Sequence, residues 1–418
     1  MSRVWIPAVL LASSALISGC MINSQPDTNA HNSKSATSTD SHQNSTVCHA
    51  IYDAGSSGTR LYLYQQTAST QQSAMQQGGQ WLSHEGPKVA ALADPVREIR
   101  GKTWADAGSV TDEVVQALEN LRQDGPLKKG KPEWQGFDWQ AECQLQSVRV
   151  LATAGMRIAE QENRQRSAEL WQMLKQKLQQ TVGRNVQVDT RTLTGYEEGL
   201  YAWLALQDSN RDNAYGIAEM GGASSQVTFP CTDCDNSHDA VRKVLVDGQA
   251  IKIYSYSFLG LGQDEAPKTL AFPKTCAYGV GLQQPDWVPQ NCAAQIPLTA
   301  GDHGLKDPYN YADGHQGTVN QPPIALGEQQ RWFLTGAFSY MQASDLQDCC
   351  MTKGQCYNAQ TSCFSTVYRP KYLQTLNIPV SSTKADVSWT EGANLCGATD
   401  CLSEAKAPVC RWSKEGCL

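Results

Sequence analysis

The segment HAIYDAGSSGTRLYLY, residues 49–64, predicts two strands joined by a tight loop. Apolar residues lie on both sides of a turn rich in Gly and Ser, which is the pattern of a β-hairpin. Asp53 stands at the head of the loop, and its glycines allow the backbone to approach a ligand closely. The loop therefore combines a carboxylate with a set of accessible amides.

The segment AYGIAEMGGASSQVTF, residues 214–229, repeats this pattern. When Asp53 is aligned with Glu219, the two acidic residues, the two turns and the two following strands coincide. The hairpins are separated by about one domain length. We therefore predict two related domains, each of which presents an acidic hairpin to a shared cleft.

The remaining sequence alternates between helical and strand-like patterns. Residues 112–122 and 168–180 carry apolar side chains at helical spacing, and residues 148–153 have the composition of a buried strand. This alternation is typical of α/β folds. Residues 280–327 are rich in Pro, Gly, Asn and Gln, which predicts long loops pinned by Cys276 and Cys292. Such loops often shape specificity, and an insertion without a functional role is the alternative.

The N-terminal residues predict an export signal. Arg3 precedes an apolar run, residues 4–16, and small residues then lead to Cys20. This order predicts a lipoprotein-type signal with Cys20 as the first mature residue, whereas ordinary cleavage without lipid is the alternative. No later stretch reaches the roughly 18 apolar residues of a membrane span, so we expect membrane attachment only through a lipid at Cys20.

The cysteine content indicates an oxidising compartment. The chain has 15 cysteines, and an even number remains when Cys20 is set aside, as expected for disulfides. Cys231 and Cys234 could form half of a zinc site or a redox motif, but no second pair has suitable spacing, so we expect a structural disulfide. The protein is therefore expected in the periplasm, at the cell surface or in the medium.

The formal net charge of −7 disfavours nucleic acid as a partner. It also means that overall charge does not attract anionic substrates, which must bind through local donors and a metal ion. The expected organisation is a signal at 1–20, a disordered polar tether at 21–47, domain I at 48–193 with 380–418 returning to it, and domain II at 194–379.

The two hairpin loops suit phosphoryl transfer. Such a site needs donors around the phosphate oxygens, a metal ion that offsets their charge, and a residue that activates water. Successive amides near Ser57 and near Ala223 can form anion-binding concavities. Asp53 and Glu219 can hold a hydrated cation, because Mg²⁺ and Ca²⁺ prefer oxygen ligands.

A third candidate segment, residues 194–206, predicts a helix that begins with two adjacent carboxylates, Glu197 and Glu198. Adjacent helical residues face different directions, so only one of them is expected in the cleft. The alternative is that both acids simply stabilise the positive end of the helix. A near match to a Walker loop at 125–132 fails, because Pro132 replaces the Ser or Thr that would bind magnesium.

Together these segments resemble the ecto-nucleoside triphosphate diphosphohydrolases, or apyrases, of the actin, Hsp70 and sugar-kinase superfamily, in a bacterial lipoprotein-type form. A further stretch, AFSY at 337–340, is similar to another family segment. The resemblance implies two RNase H-like domains with the active site between them. It rests on five ordered motifs, which are DAGSSGT at 53–59, TAGMR at 153–157, GYEEGLYAW at 195–203, GGASSQ at 221–226 and SWTEG at 388–392.

The resemblance also implies roles for individual residues. Glu198 would be the general base for the attacking water, and Glu197 a bystander. Asp53 and Glu219 would bind Ca²⁺ or Mg²⁺ through water, while Trp389 would close the site near the metal. Residues that would position the water are Thr153, Ser224 and Gln226. Residues that would contact phosphate are Ser56, Ser57, Gly58, Thr59, Ala154, Gly222, Ala223 and Trp389.

The implied reaction is hydrolysis of nucleoside tri- and diphosphates to the monophosphate and phosphate. Two positions depart from the family pattern. Glu219 stands where the family usually has Asp, and Gly58 stands where animal cell-surface members often have His. The alternatives are a polyphosphate or guanosine-pentaphosphate phosphatase, against which Gln226 argues, a sugar kinase, and a surface nucleotide-binding protein that has lost catalysis.

Overall fold

The computed structural model describes most of the chain after residue 45. The signal and tether predicted at 1–47 lie almost wholly outside this part, as does most of the loop region at 280–327. The described residues are 46–67, 81–99, 101–122, 136–207, 210, 213–234, 240–270, 276, 288–296, 298, 331–340, 350, 359–403, 412–413 and 416–417.

The strands follow the predicted hairpins closely. In chain order they are β1 (Val47–Gly55), β2 (Gly58–Gln66), β3 (Trp81–Val89), β4 (Glu98–Ile99), β5 (Lys102–Thr103), β6 (Gln144–Ala152), β7 (Gln187–Thr192), β8 (Gly216–Met220), β9 (Ser224–Pro230), β10 (Val241–Val246), β11 (Gln249–Leu259), β12 (Trp332–Gly336), β13 (Thr383–Lys384), β14 (Trp412–Ser413) and β15 (Gly416–Cys417).

The helices include the predicted ones, but those expected over 112–122 and 168–180 begin earlier. Asp106 and Asn163 cap them by accepting hydrogen bonds from the Ser109 and Arg166 amides. The helices are α1 (Ala107–Leu121), α2 (Trp139–Glu142), α3 (Ala154–Glu162), α4 (Arg164–Val182), α5 (Gly195–Leu204), α6 (Ala266–Thr269), α7 (Pro289–Gln295), α8 (Ala359–Thr375) and α9 (Trp389–Thr399). Among the described residues, no helix is long and apolar enough to cross a membrane.

Two sheets of the same design confirm the predicted duplication and the α/β fold class. The first sheet has the order β3-β2-β1-β6-β7, and the second has the order β10-β11-β9-β8-β12-β13. In each sheet an antiparallel hairpin, β1-β2 or β8-β9, continues into parallel strands. Asp53 pairs with Arg60 across the first hairpin, as Glu219 pairs with Gln226 across the second.

Alternating side chains place each sheet between two apolar layers. Ala50 and Tyr52 of β1 join the core with α1 and α4, whereas Ile51 joins the core with α5 and α9. In β8, Ile217 faces that same α5 and α9 layer, and Ala218 faces the core that contains α8. Helices α5 and α9 therefore lie between the two sheets, where the predicted cleft opens.

Disulfides are present, as predicted from the number and spacing of the cysteines. Cys231 is bonded to Cys234, as expected for this closely spaced pair. The loop-region cysteines, Cys276 and Cys292, are bonded to each other. The other bonds in the described part of the chain are Cys48–Cys143, Cys350–Cys363 and Cys396–Cys401.

Removing the Cys48–Cys143 disulfide by double substitution to Ala is expected to lower the free energy of unfolding by about 4 to 5 kcal/mol, because it closes a loop of 95 residues. The same change at Cys396 and Cys401, which are five residues apart, is expected to cost about 2 kcal/mol. Denaturant unfolding of both variants checks the difference. Equal losses would show that loop closure does not determine the stabilisation.

Candidate active site

Both hairpin loops line one cavity of about 520 Å³ between the sheets. The motifs predicted from sequence come together there, although they are widely separated along the chain. The predicted site residues that line the cavity are Asp53, Ser56, Ser57, Gly58, Thr153, Ala154, Glu198, Glu219, Gly222, Ala223, Ser224 and Trp389.

Two predicted site residues do not line the cavity. Gln226 and Thr59 have no exposed surface. Gln226 lies behind Ser224, because its amide nitrogen Nε2 donates to Ser224 Oγ over 2.7 Å. In this arrangement Gln226 can act on a ligand in the cavity through its hydrogen bond to Ser224.

Glycines allow the backbone segments around the cavity to meet. A β-carbon on Gly155, in the first turn of α3, would lie 2.8 Å from Ser56 Cα, which is closer than such atoms approach. A β-carbon on Gly222 would overlap Ser56 Oγ. The absence of side chains at these two positions thus lets the first loop contact both α3 and the second loop.

Asp53 and Glu219 occupy matched positions at the heads of the loops. Burial raises the pKa of Asp53 to about 6, although Arg60, a hydrogen bond from Trp389 and the Lys88 ammonium each lower it. Burial, with the negative charges of Glu198 and Asp53, raises the pKa of Glu219 well above its usual range. The two carboxylates therefore form a concentration of negative charge that a cation would relieve.

Glu198 is held at the cavity wall by a buried ion pair. Arg157 Nη2 donates to Glu198 Oε2 over 2.7 Å, and the two side chains are only 3% and 6% exposed. Arg157 comes from α3, which packs on the first sheet, whereas Glu198 comes from α5, which packs on the second. The ion pair fixes the direction of the Glu198 carboxylate.

A buried hydrogen-bond network extends from this ion pair. Ser224 Oγ accepts from Arg157 Nη2 over 3.1 Å and from Gln226 Nε2 over 2.7 Å. Ser257 Oγ, on the adjacent strand β11, accepts from the same two donors. Because Ser224 accepts two hydrogen bonds and lines the cavity, its own hydroxyl proton is available to a ligand there.

Glu197 has a different position from its neighbour. Its carboxylate accepts from the Thr194 amide over 2.9 Å, while the Thr194 hydroxyl accepts from the Glu197 amide, so that the two residues form a capping box. Arg191 also pairs with Glu197 over 2.8 Å. Of the two adjacent acids, Glu198 lines the cavity and Glu197 caps the helix, as the helical geometry predicts.

Three basic residues of the cavity were not assigned a role from sequence. They are Arg60, Lys88 and Arg369. Arg60 belongs to the first hairpin and was visible as a charge beside the loop, whereas Lys88 on β3 and Arg369 on α8 lie in segments without any motif. Arg157 stood within the TAGMR motif, but only the folded structure shows that its partner is Glu198.

The donor set fits a hydrated divalent cation. Glu219 Oε2 is a buried oxygen without a hydrogen-bond partner among the described residues, and it belongs to the same negative cluster as Asp53. In the described ranges, no three His, Cys, Asp or Glu side chains are grouped to coordinate one ion directly. Two carboxylates supplemented by water suit Mg²⁺, which usually retains several waters.

Replacing Asp53 with Asn is expected to stabilise the cation-free fold and to weaken cation binding. A pKa raised from 3.8 to about 6 means that ionised Asp53 opposes folding above pH 6 by up to about 3 kcal/mol, and that this penalty fades as pH falls through 6 towards 3.8. Thermal unfolding in EDTA at pH 8 and pH 4 measures the effect. A D53N variant less stable than the wild type at pH 8 would contradict it.

Comparison with known proteins places this arrangement among nucleotide phosphatases. The model of the GDA1/CD39 (nucleoside phosphatase) family matches residues 140–377, which is more than half of the chain. Ectonucleoside triphosphate diphosphohydrolase 1 of Mus musculus is 25% identical over 238 residues, which are 52% of this chain and 41% of that protein. Probable apyrase 4 of Arabidopsis thaliana is 28% identical over 234 residues, 53% and 40% of the respective chains.

These matches span about two fifths of the length of the curated relatives. Among solved structures, a nucleoside triphosphate hydrolase from Neospora caninum is similar with a TM-score of 0.48 and 15% identity, covering 85% of this chain and 93% of that one. A Ppx/GppA family member from Aquifex aeolicus has a TM-score of 0.45 and 13% identity, with 85% and 98% coverage.

Proposed function

The chain belongs to the GDA1/CD39 (nucleoside phosphatase) family, and on this premise we propose that it hydrolyses nucleoside tri- and diphosphates to the monophosphate and phosphate. The observation that carries the proposal is the position of Glu198. This carboxylate lies on the wall of a cavity whose rim is formed by two loops rich in glycine and serine. A base beside two phosphate-binding loops suits attack by water on a terminal phosphate.

The proposed reaction begins with a water molecule beside Glu198. The carboxylate accepts a proton from this water, whose oxygen forms a bond to the terminal phosphorus while the bond from phosphorus to the bridging oxygen breaks. Before the proton is transferred, the ion pair with Arg157 directs the Glu198 carboxylate. The leaving group is the shortened nucleotide, which carries the electron pair of the broken bond.

The loops would bind the phosphate chain. Ser57 and Ala223 line the cavity, where backbone amides of their loops would bind phosphate oxygens, and the Ser224 hydroxyl can donate to a phosphate oxygen or to the attacking water. Asp53 and Glu219 would hold Ca²⁺ or Mg²⁺ through water, with the indole of Trp389 orienting Asp53. When bound, the cation supplies positive charge that offsets the charge of the phosphates.

The compartment follows from the disulfides. Bonds such as Cys48–Cys143 and Cys350–Cys363 persist in oxidising surroundings, so we place the enzyme in the periplasm, at the cell surface or outside the cell. Nucleotides released from cells are the substrates available there. Several relatives are named as ectonucleoside triphosphate diphosphohydrolases, which supports the same placement.

The direct test is phosphate release by the purified full-length protein. We expect turnover of ATP and ADP with Ca²⁺ or Mg²⁺, and little turnover of AMP, which lacks a phosphoanhydride bond. A panel that includes inorganic polyphosphate and guanosine pentaphosphate separates this activity from the polyphosphatase alternative. If neither ATP nor ADP releases phosphate with either cation, the proposed function is wrong.

A further inference from the structure

The rim of the cavity contains a lysine, Lys88, next to the first hairpin loop. Lys88 lies on β3, opposite Arg60 of β2, and its side chain reaches over the first hairpin loop. Its ammonium nitrogen Nζ lies 3.4 Å from Ser57 Oγ. Since Ser57 belongs to the loop proposed to bind phosphate, the ammonium stands at the edge of that binding position.

Gly58 provides the space that this side chain occupies. A β-carbon at residue 58 would overlap Lys88 Cε and would lie 2.9 Å from the carbonyl oxygen of Val89. Gly58 also has a φ of 150°, a conformation that other residues rarely adopt. The glycine thus allows the stem of Lys88 to cross the loop at this point.

The other basic groups on the rim are already engaged. Arg60 pairs with Glu85 over 3.3 Å, and Arg369 donates to the carbonyl oxygen of Ala337 and to Gln263 Oε1. No ion pair joins Lys88 to a carboxylate in the described part of the chain. The described hydrogen bond to Ser57 uses one of its three donors, so a ligand can engage the ammonium without breaking an ion pair.

The Lys88 ammonium is accessible at the cavity, because the residue is exposed and lines the cavity wall. Burial raises the pKa of Asp53 within the cavity and of Asp264 behind the second loop, and the positive charge of Lys88 lowers each slightly. An anionic ligand that entered with its own cation would find the ammonium in place.

We propose that Lys88 is a phosphate-binding residue of this cavity and contacts the phosphate chain of the nucleotide beside Ser57. The assignment deepens the proposed function, on which it rests. An ammonium is a compact charge with three donors, suited to a phosphate oxygen that the backbone amides leave uncovered. Lys88 then contributes to substrate binding and not to proton transfer, which separates it from Glu198.

The test compares Lys88→Ala, Lys88→Arg and a control, Lys243→Ala, in which an exposed lysine of β10 is removed far from the cavity rim. Steady-state phosphate release from ATP gives kcat and KM for each full-length variant. We expect Lys88→Ala to raise KM about tenfold with kcat within about threefold, as for loss of one charged hydrogen bond. Lys88→Arg should restore KM to within about threefold, and Lys243→Ala should behave as wild type.

Ionic strength provides a second readout. Because the contact is between opposite charges, kcat/KM of the wild type should fall more steeply with added KCl than that of Lys88→Ala. Equal KM values for the wild type and Lys88→Ala would overturn the assignment while leaving the nucleotidase function intact. A Lys88→Arg variant as impaired as Lys88→Ala would also overturn it, because the positive charge would then be irrelevant.

A calorimetric arm separates this inference from the proposed function. If the wild type releases no phosphate from nucleotides, the function is wrong, and Lys88 is then tested by titration with inorganic triphosphate. Binding about tenfold weaker in Lys88→Ala than in the wild type supports the phosphate contact. Equal affinities, or no binding by the wild type, overturn it.

Discussion

Replacing Glu198 with Gln is expected to lower kcat about 1,000-fold, within the range that general-base catalysis contributes. Gln has the same shape and can still accept a hydrogen bond from Arg157 through its amide oxygen, but it cannot take a proton from water. Nucleotide affinity should remain within about threefold, since the loops that surround the cavity are unchanged. Phosphate release measures kcat, and calorimetric titration with ATP measures the affinity.

The adjacent acid supplies the matched control. Glu197→Gln removes the same charge one residue earlier, but its carboxylate caps α5 and pairs with Arg191 outside the cavity. We expect kcat within about threefold of wild type and a loss of about 1 kcal/mol in the free energy of unfolding, as for other helix caps. If Glu197→Gln abolishes turnover and Glu198→Gln does not, the assignment of the base is wrong.

Gly392→Ala is expected to lower the free energy of unfolding by about 3 kcal/mol, at the upper end of what overpacking costs. Gly392 lies in α9 where that helix crosses α5, and a β-carbon there would overlap the backbone carbonyl of Tyr201. Backbone cannot rotate away as a side chain can, so the helices must separate. Because Trp389 in the first turn of α9 donates to Asp53, turnover should fall as well.

A second glycine of the same helix tests this explanation. A β-carbon on Gly397 would meet only the end of the Arg149 side chain, which can move. Gly397→Ala is therefore expected to change stability by less than about 1 kcal/mol, with the helix preference of Ala offsetting the displacement. Denaturant unfolding of both variants provides the comparison. Similar losses in the two would show that the backbone contact with Tyr201 is not the cause.

Local patterns were sufficient to predict the two hairpins. In residues 49–64 and 214–229, strand, turn and strand are neighbours in sequence, so the register follows from the turn itself. The matched acids at Asp53 and Glu219 then indicated a duplicated fold, which the two sheets confirm. The separation of Glu197 from Glu198 also followed from local geometry, because adjacent helical positions diverge.

The long-range contacts could not be predicted in this way. Arg157 and Glu198 both stood in recognisable motifs, but their ion pair depends on how the fold brings α3 and α5 to the same cavity. Lys88 reaches the first loop only through the register between β2 and β3, which no short pattern specifies. Gln226 was expected at the cavity. Its side chain is instead fully buried behind Ser224, which lies two residues earlier on the same face of β9.

In the proposed function, Asp53 and Glu219 hold the cation through water, and the length of Glu219 then bears on cation preference. The Glu219 side chain is one methylene longer than that of Asp, so we expect it to shift a bridging water or the cation. The pair Asp53 and Glu219 is therefore where a change in metal preference would first be sought, by comparing Ca²⁺ with Mg²⁺ in a Glu219→Asp variant.

The described disulfides share one property that bears on motion. Each joins cysteines on the side of a single sheet or within one helix end, such as Cys48–Cys143 and Cys396–Cys401, and in the described ranges none joins the first sheet to the second. Within the described ranges, the crosslinks thus stiffen each half separately and do not tie one sheet to the other. The contacts described across the cleft are noncovalent, and they include those of Arg157 with Glu198 and Ser224. Under the proposed function, a nucleotide that bridges both loops would add to these contacts, whereas the described disulfides would stabilise each half without joining the two loops.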